Sequence, residues 1–286
     1  MQNGFEGIPL AVFTGLSPSG AVAIIVLAIL LLAGWVTGEK ARAYVRHLIA
    51  VPLAVVWVGF IASATHLGTP ANALYAFTNV GSSPLSNEVT AAVAFLFFAG
   101  VYWLASFKPD LSPALDKAGL IACIVTGALF LSLTSVVYDV ATVPTWDAPF
   151  APAALFTAAI GGGLSLVLVV LSIAEAATER VKFLLVGVAG AACAACVIIL
   201  VFYAGYLATV GNNVVAPGQH ATSYPIAIVA YAALSALGLS LQWASIRFRV
   251  YGVRRTVMCG AGCLLVLVAV VMVRVPFYEA YLSVGF

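Results

Sequence analysis

The stretch FIASATHLGTP, residues Phe60 to Pro70, decides the fold because it shows how an apolar run ends in this chain. The run begins near His47 and has the length, about 20 residues, that a helix needs to cross the hydrocarbon core of a membrane. A histidine, His66, stands at its end, and a Gly-Thr-Pro sequence follows closely. Glycine and proline are typical of the end of a helix. The stretch therefore predicts a membrane-spanning helix that ends at His66.

The composition agrees with a membrane protein. The chain has 286 residues, of which 64% are hydrophobic and only 8% are charged, and its mean hydropathy is +1.14. A soluble domain carries roughly 25% charged residues, so this composition excludes a soluble domain of the same length. The net charge is +2 and the basic residues are dispersed, which argues against a nucleic-acid partner.

The hydropathy pattern predicts an all-α, polytopic membrane protein with eight transmembrane helices. We expect residues 1–286 to form a single integral membrane domain, because the loops between the runs are too short to fold separately. The predicted helices cover approximately Ile8–Val36, His47–His66, Glu88–Phe107, Lys117–Tyr138, Pro152–Ala174, Phe183–Leu207, Pro225–Ile246 and Thr256–Val275.

The basic residues predict the orientation of these helices. Cytoplasmic loops of membrane proteins carry an excess of Lys and Arg. The loops after the first, third, fifth and seventh runs hold eleven of the twelve basic residues, and only Arg274 lies elsewhere. We therefore expect these loops in the cytoplasm and both termini outside.

Most polar residues outside the basic loops fall on the predicted outer face. They are His66, Glu88, Asp139, Asp147, His220, Arg274 and Glu279, together with Tyr75, Asn79, Tyr138, Trp146 and Tyr278. Ionisable groups at or within a membrane are costly, and they usually serve a site, a relay or an ion pair. Their collection on one face predicts a functional site there.

His66 and Glu88 are the candidate proton-transfer residues of this site. They end one run and begin the next, so their side chains are expected at a similar depth. An imidazole accepts a proton near neutral pH and a carboxylate can relay it, which suits oxidation of a lipid-borne quinol. Structural readings stay open: His66 as a helix cap, Glu88 as a residue favoured by the helix dipole, and Asp139 paired with Arg274.

Three other motifs have structural interpretations. The CAAC sequence at Cys193 to Cys196 lies inside an apolar run and favours packing over a redox centre. Gly161 to Gly163, like Gly187, Ala191 and Ala195, are expected at close helix contacts or at a close approach to a ligand. His47 and His66 lie about 28 Å apart along one helix, and His220 falls in a loop, so we expect no haem and no metal in this chain.

Several motifs together resemble the membrane anchor subunit of dimethyl sulfoxide reductase. They are GFIASATHLGTP, VGSSPLSNE, TVPTW and the tail RVPFYEAYLSVGF, and they keep the family's order and spacing over most of the chain. The resemblance implies an eight-helix anchor in the cytoplasmic (inner) membrane of a prokaryote. It implies as partners a molybdopterin catalytic subunit and an iron–sulfur subunit with four clusters, and menaquinol as the substrate of a haem-free site.

The resemblance also implies roles for particular residues. The family's quinol-site histidine falls on His66 and its acidic partner on Glu88. The TVPTW loop matches Thr142–Trp146, and the arginine of the tail matches Arg274. Together with the outer-face residues above, we expect the quinol site to include Tyr75, Asn79, Tyr138, Asp139, Trp146 and Arg274. Because electron tunnelling needs a short distance, we expect the iron–sulfur partner on the same outer face; docking on the basic cytoplasmic loops is the alternative. The role of Glu279 stays open.

Two alternatives remain open at this point. A quinol anchor of the polysulfide- or nitrite-reductase type would share the chemistry and differ in its partner. A small-solute transporter would be a different class, although the chain has no convincing internal repeat and few polar groups in mid-membrane. The resemblance leaves the terminal electron acceptor undetermined, because selectivity for it belongs to the catalytic subunit.

Overall fold

A computed structural model describes residues 7–65, 70–138, 142–211 and 216–281, and within these ranges the protein is helical and contains no strand. Two short 3₁₀ helices, Pro70–Phe77 and Gln219–Ala221, lie in the longer loops. The α-helices are α1 (Gly7–Leu32), α2 (Glu39–His47), α3 (Ala50–Thr65), α4 (Pro84–Ala105), α5 (Pro113–Val136), α6 (Phe150–Ile173), α7 (Glu179–Leu207), α8 (Tyr224–Arg247) and α9 (Gly252–Glu279).

In the described part of the protein, eight helices are long and apolar enough to span a membrane, with α2 and α3 together forming the second span. The prediction of an all-α protein with eight spans is therefore confirmed. Which side of the membrane holds the termini stays a prediction. We call the end of the bundle with the Lys- and Arg-rich loops the basic end, and the opposite end, where α1 begins and α9 ends, the aromatic end.

Several helices begin or end away from the limits that hydropathy predicts. The second span begins at Glu39 instead of His47, because α2 precedes α3. The third span, α4, begins at Pro84 instead of Glu88. α9 continues past Val275 to Glu279. Hydropathy registers only the apolar part of a helix, whereas polar first turns and caps belong to it as well. Ser83, for example, caps α4 by accepting a hydrogen bond from the Ser86 amide.

α1 and α6 form the centre of the bundle. The most apolar windows of these two spans are 72% and 83% buried, whereas the other six spans are at most 39% buried. α1 packs against α3, α5, α6 and α9, and α6 also packs against α7 and α9. Because lipid provides no hydrophobic driving force between helices, close contact of helix surfaces holds such a bundle together.

The glycines of α6 provide that close contact. A Cβ atom added to Gly163 would lie 2.6 Å from Val22 of α1, and one added to Gly162 would lie 2.5 Å from Ser19. The packing interpretation of these glycines is confirmed. It is wrong for Gly187, which is exposed on α7 and would meet no atom within 4 Å.

The cysteines are buried and form no disulfide. Cys193 lies against Gly161, where an added Cβ would meet its sulfur at 2.5 Å. Cys196 lies 3.7 Å from the carbonyl of Ala154 in α6. Both cysteines therefore act as small packing residues between α6 and α7.

His47 has a structural role at the basic end. Its Nε2 lies 3.1 Å from the carbonyl oxygen of Ser106, and its ring stacks on Phe107 at 4.4 Å. Nearby, Arg46 forms a 3.0 Å ion pair with Asp116. These contacts join the second span to the loop after α4 and to the first turn of α5.

Candidate functional site

Glu88 lies in the second turn of α4 and is 3% exposed. Pro84 occupies the first turn, where its missing N–H has no cost, and the helix therefore starts before Glu88. The interpretation of Glu88 as a helix-start residue favoured by the dipole is wrong, because α4 has no acidic residue in its first turn. A buried carboxyl within a transmembrane helix instead calls for a functional explanation.

Arg274 of α9 brings a positive charge to the neighbourhood of this carboxyl. The side chain is 4% exposed, and its guanidinium attracts Glu88 electrostatically. Arg274 Nε donates a 3.2 Å hydrogen bond to the Thr14 hydroxyl of α1. Its Cζ lies 4.3 Å from the centre of the Phe277 ring, a cation–π distance. The guanidinium is therefore held in place from two directions.

A series of hydroxyl groups continues from Thr14. The Tyr278 hydroxyl donates to Thr14 Oγ1 at 3.0 Å, and the Tyr138 hydroxyl lies 2.6 Å from that of Tyr278. Burial raises the pKa of Tyr138 well above its ordinary value, so its phenol stays protonated. The network thus joins α1, α9 and the segment after α5 through neutral hydroxyls and one guanidinium.

Three buried polar atoms in this region lack a hydrogen-bond partner among the described residues. They are Glu88 Oε1, Thr134 Oγ1 and Arg274 Nη2. Thr134 of α5 lies beside the Glu88 carboxyl, yet its hydroxyl makes no hydrogen bond of normal geometry there. Buried polar groups are nearly always paired, so unpaired atoms from three helices indicate a place where a polar ligand or water binds.

Aromatic rings cover one side of this polar cluster. Trp146 stacks on Phe277 with ring centres 5.4 Å apart, and its indole donates to the Phe277 carbonyl at 2.9 Å. Tyr138 packs edge-on against both rings, at 5.7 Å from Trp146 and 5.2 Å from Phe277. These rings form an apolar wall next to Arg274.

Two tyrosines of α7 hold the loop that carries Trp146. The Tyr203 hydroxyl donates to the Thr145 carbonyl at 2.5 Å, and the Tyr206 hydroxyl donates to the Pro144 carbonyl at 2.8 Å. The TVPTW segment is thereby fixed against the bundle, which positions the indole of Trp146.

The structure brings together four of the site residues expected from the sequence: Glu88, Tyr138, Trp146 and Arg274. Two others lie apart from this buried cluster. Tyr75 is 67% exposed in the loop between α3 and α4, and Asn79 is exposed in the following turn.

His66 and Asp139 lie outside the described residues, as does the side chain of His220. Their proposed places in the site, and the pairing of Asp139 with Arg274, therefore stay predictions. Among the residues that the structure does describe, His, Cys, Asp and Glu side chains form no group of three that could hold a metal ion.

Sequence reasoning missed Thr14, Thr134 and Phe277. Threonine within an apolar helix has no distinctive hydropathy, and a phenylalanine near a helix end looks like any residue of an aromatic belt. A helical-wheel comparison could have drawn attention to Phe277, because it follows Arg274 by three positions and so shares its face.

Comparison with known proteins identifies the family. The model of the DMSO reductase anchor subunit family (DmsC) matches residues 1–280. A subunit of the anaerobic dimethyl sulfoxide reductase of Haemophilus influenzae is 29% identical over 289 residues, which cover 100% of this protein and 98% of that one. The YnfH subunit of an anaerobic dimethyl sulfoxide reductase of Escherichia coli is 30% identical with the same coverage. A second such subunit of Escherichia coli is 35% identical over 61% of each sequence. The protein therefore belongs to the dimethyl sulfoxide reductase anchor-subunit family.

Proposed function

We propose that this protein oxidises a quinol within the membrane and passes the electrons to an iron–sulfur subunit of a dimethyl sulfoxide reductase-type complex. The observation that carries the proposal is the buried cluster of Glu88, Thr134 and Arg274, whose unpaired polar atoms come from three helices. A quinol offers two hydroxyl groups on an apolar ring, which matches polar atoms beside an aromatic wall.

Quinol oxidation requires groups that accept two protons while two electrons leave. In the proposed reaction each ring hydroxyl loses one proton and one electron, and the quinol becomes a quinone. The two protons pass to His66 and Glu88 and then to the aromatic end of the bundle. The two electrons pass to an iron–sulfur cluster of the partner subunit, so charge and atoms balance.

The described residues divide this work. Glu88 lies near enough to the start of α4, about 7.5 Å along the helix from Ser83, to exchange protons with the surface. Arg274 stabilises negative charge as a hydroxyl loses its proton. Tyr138, Trp146 and Phe277 provide the apolar surface against which the quinol ring packs.

The family membership supports further parts of the proposal. We propose menaquinol as the quinol, a molybdopterin catalytic subunit as the second partner, and the inner membrane of a prokaryote as the location. The iron–sulfur partner docks on the aromatic end, because electron tunnelling requires a short distance between the quinol and the first cluster.

Two experiments test the proposal. The complex purified in mild detergent is expected to contain molybdenum and iron and to show no haem absorbance. His66→Ala is expected to abolish reduction driven by quinol while leaving assembly and activity with an artificial electron donor intact. Failure of the complex to assemble in this variant would favour the capping role of His66, and full quinol-driven activity would contradict the proposal.

A further inference from the structure

A groove between α7 and α8 at the basic end has a charged mouth and an apolar floor. The mouth is a cavity of about 500 Å³ that includes Arg247 and Arg249 in its lining, with Phe183 and Tyr251 as its aromatic walls. Both arginines are exposed, and neither forms an ion pair with another described residue.

The acidic residue of this mouth is already neutralised. Arg255 binds both carboxylate oxygens of Glu179, at 2.9 and 3.1 Å, and the Lys182 amine lies 3.2 Å from the same carboxylate. Arg255 and Lys182 are 5% and 2% exposed. Two buried cations therefore face one carboxylate, and this excess adds to the positive charge of Arg247 and Arg249.

A second, mostly apolar cavity lies next to this mouth, further along α7 toward the middle of the span. Its volume is about 300 Å³, and it is lined by Phe183, Val186, Gly187, Leu239, Ser240 and Trp243. Phe183 lines both cavities, so the two adjoin, and together they are called the groove. Along α7 the groove extends from Glu179 to Gly187, about 12 Å at 1.5 Å per residue.

We propose that this groove binds an anionic phospholipid. The phosphate group lies between Arg247 and Arg249 in the mouth, and an acyl tail lies along Phe183, Gly187 and Trp243. Basic pockets between transmembrane helices on the cytoplasmic side are suited to anionic head groups. The absence of a side chain at Gly187 keeps the floor open, because an added Cβ would meet no protein atom within 4 Å.

Trp243 lines the groove and reports on the lipid through its fluorescence. The full-length protein is reconstituted in phosphatidylcholine vesicles with a fixed fraction of acyl-brominated phosphatidylglycerol or acyl-brominated phosphatidylcholine. The same measurement is made with the Trp243→Phe variant, and the difference in quenching between the two proteins is the signal of Trp243. Brominated phosphatidylglycerol is expected to quench Trp243 several-fold more than brominated phosphatidylcholine. Equal quenching by the two lipids would overturn the proposal.

The charged mouth is tested with Arg247→Gln/Arg249→Gln. The preference for phosphatidylglycerol is expected to fall by about fivefold for each arginine removed. The control is Arg180→Gln/Arg254→Gln, because these two arginines are exposed at the same end but do not line the groove. An unchanged preference in the first pair, or an equal loss in the control pair, would contradict a specific head-group site.

The apolar floor is tested with Gly187→Leu, which fills the groove without changing charge. Gly190→Leu is the matched control, since Gly190 also has open space but lies outside the lining. Only Gly187→Leu is expected to remove the preference. If inorganic phosphate abolishes the preference for phosphatidylglycerol, the mouth is a site for a free anion. If Gly187→Leu has no effect, no acyl tail lies on the floor; either result contradicts the lipid proposal.

Discussion

At the scale of single residues, the buried pair of Glu88 and Arg274 determines what the aromatic end can do. A carboxylate loses far more hydration energy on burial than a neutral group does, and the attraction of Arg274 offsets only part of this cost. The unpaired atoms of both side chains indicate that the pair does not satisfy itself. It is therefore available to a polar ligand.

Glu88→Gln tests the proposed proton acceptor. An amide cannot take a proton, and loss of a general base typically lowers the rate of a reaction by about 100-fold or more. We expect quinol-driven turnover to fall by that order while artificial-donor activity is retained. Glu279→Gln is the control, because Glu279 is an exposed carboxylate at the same end and its loss should leave turnover unchanged. Normal quinol kinetics in Glu88→Gln would remove this residue from the mechanism.

Arg274→Gln tests the electrostatic coupling between the two residues. Arg274 makes no direct ion pair with Glu88 among the described residues, but its guanidinium attracts the carboxyl. A buried charge left without such compensation typically costs about 3 kcal/mol. We expect a loss of stability of that size in detergent, measured as the free energy of unfolding. The double variant with Glu88→Gln should recover part of it, since the uncompensated carboxylate is then absent. Strictly additive effects would show that the two residues do not interact.

Some of these residues could be predicted from the sequence and some could not. Glu88 and Arg274 stand out because charged residues are rare in apolar runs. Thr14 and Thr134 do not, because a threonine inside such a run is as compatible with packing as with binding. Tyr75 was expected at the site because of its aromatic ring, yet it is mostly exposed. The residue type alone does not show whether an aromatic side chain at the end of the bundle lies on the surface or in the buried site.

At the scale of helices, hydropathy predicted the number of spans but not how deeply each is buried. α1 and α6 have mean hydropathies of 2.3, close to the 2.2 of the second span, which is only 28% buried. Their central position follows from small residues that permit close contact, such as Gly162 and Gly163. Lipid and the interior of the bundle are about equally apolar. Hydropathy therefore cannot distinguish a helix exposed to lipid from a helix buried in the bundle.

Gly163→Leu tests the contact between α1 and α6. The added side chain would overlap Val22, and overpacking of this kind typically costs about 1–3 kcal/mol. We expect the free energy of unfolding in detergent to fall accordingly. Gly100→Leu in α4 is the control, because an added Cβ there meets nothing within 4 Å and leucine favours the helix by about 1 kcal/mol over glycine. Equal stability of the two variants would argue against close packing at Gly163.

At the scale of the whole molecule, the predicted orientation decides where protons are released. The five cysteines are buried, so a cysteine introduced at an exposed position gives a specific labelling signal. Asn79→Cys at the aromatic end is expected to react with a membrane-impermeant maleimide from the outside of intact cells. Arg180→Cys at the basic end should react only after the membrane is opened. The reverse pattern would invert the orientation and move the proposed quinol site to the cytoplasmic side.

The proposed orientation leads to a prediction about energy conservation. If quinol protons leave from the aromatic end, and the partner subunits also reduce their substrate on that side, then protons and electrons appear on the same side of the membrane. Turnover then moves no net charge across the bilayer.

We expect proteoliposomes containing the complete complex to reduce substrate with quinol without generating a membrane potential, measured with a voltage-sensitive dye. A proton-translocating quinol oxidase in the same lipids is the positive control for the dye. A potential generated by turnover would require either a proton path through the bundle or docking of the partners at the basic end.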